Sequence, residues 1–314
     1  RSWTKRNESS FNLIMQIGID LGATKIEYVL LDNNNNEIVR NRISTPDNYN
    51  DTLLSIVNIV KDLEKKKNKQ LSLGICHPGA TDKTTGLIKN AHNSLWLNNN
   101  NLVKDLKKKL NNNIFSENDA NCFCLSEAYD GSASHYETVF GIILGSGCGG
   151  GLVINKKIIS GTNGLGGEWS LNQMPEVNNP NLKSEKTLDF SNRIEGYLSG
   201  KSIEKNYDKK FKKKLTAKEI FSNYRNNEKN AFDFVNDYKK KLARSLVVII
   251  TTVDPDAIVF GGGLSNEIDF LNELKKITSN LINEPNLKTI FLKPLFGDAS
   301  GVRGAALLGR NNSI

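Results

Sequence analysis

Cysteine is scarce: Cys76, Cys122, Cys124 and Cys148 are the only four in 314 residues. That density rules out a disulfide framework, and with no secretory leader visible at the start it favours a reducing, cytoplasmic setting. Histidine is rarer still, with three residues, and neither Cys nor His occurs after Cys148. No apolar run approaches the roughly 20 residues that a membrane helix needs, so no membrane partner is expected. The lysine excess, which gives a net charge of +8, is broken into short runs such as Lys65–Lys67 and Lys212–Lys214. Dispersed along helical segments and with no zinc-finger, helix-turn-helix or aromatic RNA-binding motif, these runs read as solvated faces rather than a nucleic-acid interface.

What is present is an ordinary globular composition, 38% hydrophobic and 24% charged, with enough apolar residues for one large or two closely packed domains. Residues 1–14 are polar and precede Met15; they are expected to be a tag or extension outside the fold. Asparagine runs (Asn33–Asn36, Asn98–Asn101, Asn111–Asn113) mark loops.

The first ordered stretch alternates β-rich runs and turns, "QIGIDLG", "IEYVLLD" and "EIVRNRIST", which predicts an antiparallel meander. "DTLLSIVNIVKDLEKK" has helical apolar spacing with Asp51 as its cap, and a second helix is expected over about 102–110. The strand "NIFSEN" then runs into "DANCFCLSEAYDG", which puts Asp119 at a strand's carboxyl end where a helix begins. Ligands of open α/β sheets bind at such ends, so Asp119 is a candidate base as well as a candidate cap. Cys122 and Cys124, two apart on that helix, cannot share a face and are expected in the core.

From Thr138 the plan restarts: "TVFGIILGSGCGGGLVINKKIISG" is again strand, glycine turn, strand. Two copies of one supersecondary unit predict two similar lobes with a cleft between them. Three glycine turns could cradle phosphate through backbone N–H groups: Gly22-Ala23-Thr24-Lys25, Gly145-Ser146-Gly147-Cys148-Gly149 and Gly261-Gly262-Gly263. Singly, each is equally well explained as a tight turn, and none matches the Walker phosphate loop or opens a helix as a full dinucleotide fingerprint.

Together, "IGIDLGATK", "GICHPGATD", "ENDANC", "GIILGSGCGGG", "GLGGEW", "DPDAIVFGGGLS" and "GDASGVRGAALLG" resemble the ROK family of sugar kinases, in that family's order, from Ile17 to Gly309. "IKNAHNSLWLN" and "NDANCFCLSEAYDGSA" are similar to bacterial fructokinase segments. The resemblance implies an α/β fold of actin/hexokinase (RNase H-like) type. Its small lobe would span 15–130, with a terminal helix at 300–314 packing back on it, and its large lobe 131–299. It implies an ATP- and Mg²⁺-dependent hexose kinase, fructose being the expected sugar, with Asp119 as the base for a sugar hydroxyl, usually O6.

On the same resemblance, Gly79, Ala80, His92, Asn93, Asn118, Glu168 and Glu195 would hold the sugar. Asp20, Gly22, Ala23, Thr24, Lys25, Gly145, Ser146, Gly147, Gly149, Gly262 and Gly263 would hold ATP and its metal. Each has a plainer rival: Asn118 as a helix cap, Glu168 as a surface carboxylate, Glu195 as a helix-face charge, and His92 as loop filler. A homodimer is usual in that family, and no feature of this sequence specifies one.

The chain departs from the family after "GGEW". Many members carry Gly-His there and a three-cysteine cluster that binds zinc, whereas this sequence has Ser170-Leu171 and, before Ile194-Glu195, Arg193. With no soft ligands, zinc is not expected, and Met174, Leu182, Leu188 and Phe190 are expected to hold the loop by packing. The missing His leaves open a glucose, mannose or N-acetylglucosamine kinase, or a sugar-binding pseudokinase. A transcription repressor of the same family needs a DNA-binding domain, and only about sixteen residues precede Ile17, fewer than the roughly fifty that a domain requires.

Overall fold

The computed structural model describes residues 15–175 and 192–311. β1 (Gln16–Leu21), β2 (Lys25–Leu31) and β3 (Glu37–Ser44) form the expected antiparallel meander. α1 (Tyr49–Lys67) turns its Leu53, Ile56, Val57, Val60 and Leu63 face inward. Its cap is Asn48 rather than Asp51. Asn48 has the extended backbone and accepts the Asp51 N–H at 2.9 Å, while Asp51 lies inside the first turn, where its charge suits the positive helix end.

The chain continues through β4 (Ser72–His77), the small ribbon β5 (Ala80–Thr81) and β6 (Ile88–Lys89), and α2 (Leu102–Lys107). α2 stops short of residue 110 because the Lys109 and Leu110 N–H groups both close back on the Leu106 carbonyl, tightening the turn before the asparagines. β7 (Ile114–Asn118) then passes directly into α3 (Asp119–Tyr129).

The second half repeats the first. It comprises β8 (Thr138–Leu144), β9 (Cys148–Ile154), β10 (Lys157–Ile158), α4 (Glu195–Leu198), α5 (Gly200–Phe211), α6 (Ala217–Arg225), α7 (Lys229–Val253), β11 (Ala257–Gly261), α8 (Leu271–Ile282), β12 (Ile290–Leu292) and α9 (Ser300–Asn311). The two five-stranded sheets have matching orders, β3-β2-β1-β4-β7 and β10-β9-β8-β11-β12. In each, three strands are antiparallel and the outer two are added in parallel. This is the duplicated two-sheet α/β plan of the actin/hexokinase type.

α3 is buried on every side, from Ala120 to Ala128, because it lies between the two sheets. Cys124 packs against Gly141 of β8, while the Cys122 carbonyl faces Gly304 of α9. Cys76, Cys122 and Cys124 are all buried in one core cluster, as expected. α9 lies directly on the first sheet. A side chain at Gly18 would meet the Val302 carbonyl oxygen at 2.1 Å, and one at Gly74 would meet that of Ala305 at 1.8 Å, so only glycine permits this approach. Met174 packs into the large core formed by α5 to α8, β8 and β11. Leu182, Leu188 and Phe190 lie outside the described residues.

Candidate active site

The strand-to-helix turn at Asn118-Asp119 forms the floor of the site. The Asn118 side chain does two jobs: its Oδ1 accepts the Ala120 N–H at 2.8 Å as helix cap, and its Nδ2 donates to the Gly79 carbonyl at 2.9 Å. Capping the helix and tying it to the Gly79 turn are thus one geometry here. Glu117 locks the turn from below, accepting the Asn118 N–H at 2.8 Å and the Asn121 amide at 3.1 Å. Gly79, at φ +81°, makes the sharp bend that brings the β5 ribbon against Asn118.

The β8–β9 turn meets this floor from the second sheet. Ala120 is 3.2 Å from where a side chain at Gly149 would begin. The segment carrying Glu168 is stitched onto β9. Trp169 Nε1 donates to the Gly149 carbonyl and Ser170 Oγ to that of Cys148, each at 2.9 Å. Gly167, at φ +89°, and Gly150 leave the room that this contact needs. On the other side, the Cys148 N–H donates to Glu195 Oε1 at 3.2 Å, fixing Glu195 at the start of α4 beside Gly147. Leu171, where a His is expected, stands 39% exposed at the end of the Trp169–Leu171 turn.

Carboxylates converge electrostatically on this floor. Crowding by protein, reinforced by the charge of Asp20, pushes the Asp119 carboxyl up to about 6. Its side chain is nevertheless exposed to cleft water, so much of that desolvation is relieved until a ligand covers it. Glu168 is pushed up to about 7 by burial, then by Asp119 and Glu195. Burial also raises Asp20, which lies at the end of β1 against Gly301 of α9. Groups tuned toward neutrality in a cleft suit proton transfer.

Gly22, Ala23, Thr24 and Lys25 form the β1–β2 turn beside Asp20, tied to the end of β3 by Thr45, whose hydroxyl donates to the Gly22 carbonyl at 2.8 Å and whose N–H donates to that of Thr24 at 3.1 Å. Gly145, Ser146 and Gly263 line a cavity of about 440 Å³. Gly262, at φ +84°, packs tightly on the Leu144 backbone at its edge. The rest of the cavity wall, including Lys201, Glu204, Thr216 and Lys218, escaped sequence reasoning. These residues come from α5 and the start of α6, and only the tertiary packing of those helices brings them to the turn.

His92 and Asn93 are both exposed on the turn after β6, with no bond to the carboxylates among the described residues. Ala80 is buried beside them on the β5 ribbon. No three His, Cys, Asp or Glu side chains converge as a metal cage among the described residues. Asp20 near Asp119 instead suits a Mg²⁺ ion bound chiefly by phosphate oxygens and water. The loop to which the zinc expectation refers includes residues 176–191, outside the described set. No helix of the described residues is long and apolar enough to cross a membrane.

Comparison with known proteins gives the family and the fold. The ROK family matches residues 16–312. Relatives at 33 to 38% identity bear the name N-acetyl-D-glucosamine kinase. That of Pectobacterium atrosepticum is 36% identical over 303 residues, covering 94% of this chain and 98% of its own. Among solved structures, the ROK hexokinase of Thermus thermophilus superposes with a TM-score of 0.82 at 21% identity, over 94% of this chain and 97% of that one. A ROK family glucokinase from Streptomyces griseus, in complex with glucose and AMPPNP, gives 0.74 at 22% identity, over 95% and 100%.

Proposed function

Because the chain belongs to the ROK family of sugar kinases, we propose that it transfers the γ-phosphate of ATP to N-acetylglucosamine, with Asp119 as general base. The observation that carries the reading is the placement of Asp119 on the β7–α3 turn, its pKa raised to about 6 beside Glu168 and Glu195. Support for the sugar comes from the near-full-length relatives of that name. Fructose, the sugar expected from the motifs, gives way to this alternative.

In this reading the sugar lies over Asn118, Asp119, Glu168 and Glu195, with Gly79 and Ala80 at its side. Asp119 accepts the proton of the attacking hydroxyl as that oxygen meets the phosphorus in line. A base that releases its proton near pH 6 takes this proton at neutral pH without being permanently protonated. The turns at Gly22–Lys25 and Gly145–Gly149 hold the phosphates through backbone N–H groups, Asp20 stands beside them where Mg²⁺ would bind, and the cavity beside Gly263 receives the nucleoside. Mg²⁺, when bound, neutralises phosphate charge as it shifts to the leaving oxygen. The small lobe is taken as 15–130 plus α9 and the large lobe as 131–299, closing on the ligands.

A coupled ADP-release assay with Mg²⁺ and a hexose panel tests this. The expected result is a kcat/KM for N-acetylglucosamine well above that for fructose, glucose or mannose. Stronger turnover of another hexose would move the substrate and keep the base. Binding of sugar without turnover of any would make the protein a pseudokinase.

A further inference from the structure

The strand registers line up one residue from every strand of the first sheet at its cleft end. Arg42 pairs with Glu27, Glu27 with Asp20, Asp20 with Cys76, and Cys76 with Glu117. Residues opposite one another on neighbouring strands share a face of the sheet. Three of the five are carboxylates, and Glu27 is only 3% exposed. A buried, unpaired carboxylate is strongly unfavourable. Glu27 is paired from two sides, with Arg40 Nε at 2.5 Å and Arg42 Nε at 2.7 Å.

The two arginines are not equivalent. Arg40 pairs with Val29, one row back from the cleft, and Arg42 stands in the row of Asp20. The Arg42 side chain remains 45% exposed and is bonded through Nε, and its terminal nitrogens have no partner among the described residues. The charges that face it are Glu27, Asp298 on the turn before α9, and Asp20; Asp20 is faced in turn by Lys25, Glu27 and Asp119. Without Arg42, this end of the cleft would present Asp20, Asp298 and a less compensated Glu27 to an incoming polyanion.

We propose that Glu27 aims Arg42, and that the free guanidinium edge of Arg42 attracts and orients the outer phosphates of the nucleotide beside Asp20. Arg42 is thus a further phosphate-positioning residue and Glu27 its anchor. The proposal rests on the kinase reading, and it predicts discrimination by phosphate number: Arg42 acts on a triphosphate and is indifferent to a nucleoside monophosphate.

Calorimetric titration of the full chain with Mg²⁺–AMPPNP and, separately, with AMP tests it. Arg42→Met should weaken AMPPNP about ten-fold and leave AMP unchanged, as expected for the loss of one partly solvated charge near the phosphates. Arg42→Lys should recover part of the loss, and added salt should shrink the difference. Arg40→Met, which also removes one arm of Glu27, should change AMPPNP by less than about two-fold. Equal weakening of both ligands, no weakening in Arg42→Met, or an Arg40→Met effect as large as that of Arg42→Met would each overturn the proposal. A wild type that binds no AMPPNP would overturn the kinase reading and this proposal together, a result distinct from those three.

Discussion

Asp119→Asn separates the chemistry of the cleft from its architecture. The amide keeps the size of the carboxyl and an oxygen that can still accept the Ala120 N–H, now at 2.8 Å. What it loses is the ability to take a proton. With a pKa of about 6, Asp119 is about nine-tenths ionised at pH 7. Its removal should therefore cost nearly the full contribution of a general base, roughly a thousand-fold in kcat, with little change in the KM of sugar or ATP.

The same substitution should stabilise the unliganded protein. The folded state binds a proton to Asp119 up to about pH 6, whereas the unfolded chain releases it near 4. The stability tied to this group is complete below pH 4 and lost as pH rises through 6, so at pH 7 the charged form is held at a cost. Two units would be about 3 kcal/mol for a dry site; contact with cleft water reduces this to roughly 1 kcal/mol. Asn should raise Tm by about 2 °C at pH 7 and by nothing at pH 4, measured by scanning calorimetry. Full turnover in Asp119→Asn, or a Tm below wild type at pH 7, would refute the reasoning.

Other perturbations follow from the same geometry. kcat/KM for the sugar should fall tenfold per unit below about pH 6, an acid limb set by Asp119 and absent from a pH-insensitive coupling-enzyme control. Glu168→Gln should raise the KM of the sugar at least ten-fold and flatten the loss of apo stability between pH 5 and 7, in titrated melts. Asn118→Ala, which removes a cap and the tie to Gly79, should cost about 1–2 kcal/mol in urea unfolding and lower kcat as well. Gly74→Ala should cost more than about 2 kcal/mol, because its methyl would sit 1.8 Å from the Ala305 carbonyl oxygen, and poor expression or a lowered Tm is the readout.

The fold was legible because its signals are local. Alternation and a glycine turn mark β1–β2 and again β8–β9, and a short apolar run ending in Asn-Asp marks β7 passing into α3. The candidate site was legible to the extent that its residues sit at those punctuation points: Asp20, Asp119, Gly145 and Gly263 all lie at or just beyond strand ends. What stayed hidden depends on distant packing. Glu127 reads as an ordinary helix charge in "SEAYDG", yet it is fully buried and accepts from the Leu295 and Phe296 N–H groups and the Ser300 hydroxyl, pinning the entry to α9. The identity of the sugar was hidden for another reason. It rests on contacts worth about 1–3 kcal/mol, which no local pattern encodes.

The duplication explains why one cleft brings together carboxylates and uncharged glycine turns. Each half ends its fifth strand in a helix, β7 into α3 and β12 into α9, and each helix is laid on the sheet of the other half. α3 rests on β8 and β9 through Gly141 and Gly151, and α9 rests on β1 and β4 through Gly18 and Gly74. The two helices also pack on each other at Cys122 and Gly304. The turns that face across this crossing are then unequal in chemistry. The first copy places the carboxylate Asp20 one residue before its strand ends; the matching place in the second copy is Ile143, followed by a glycine turn that offers N–H groups and no charge. Asp119 begins the helix that leaves the first sheet and lands on the second, which sets its carboxylate between the charge of Asp20 on one copy and that of Glu168 on the other.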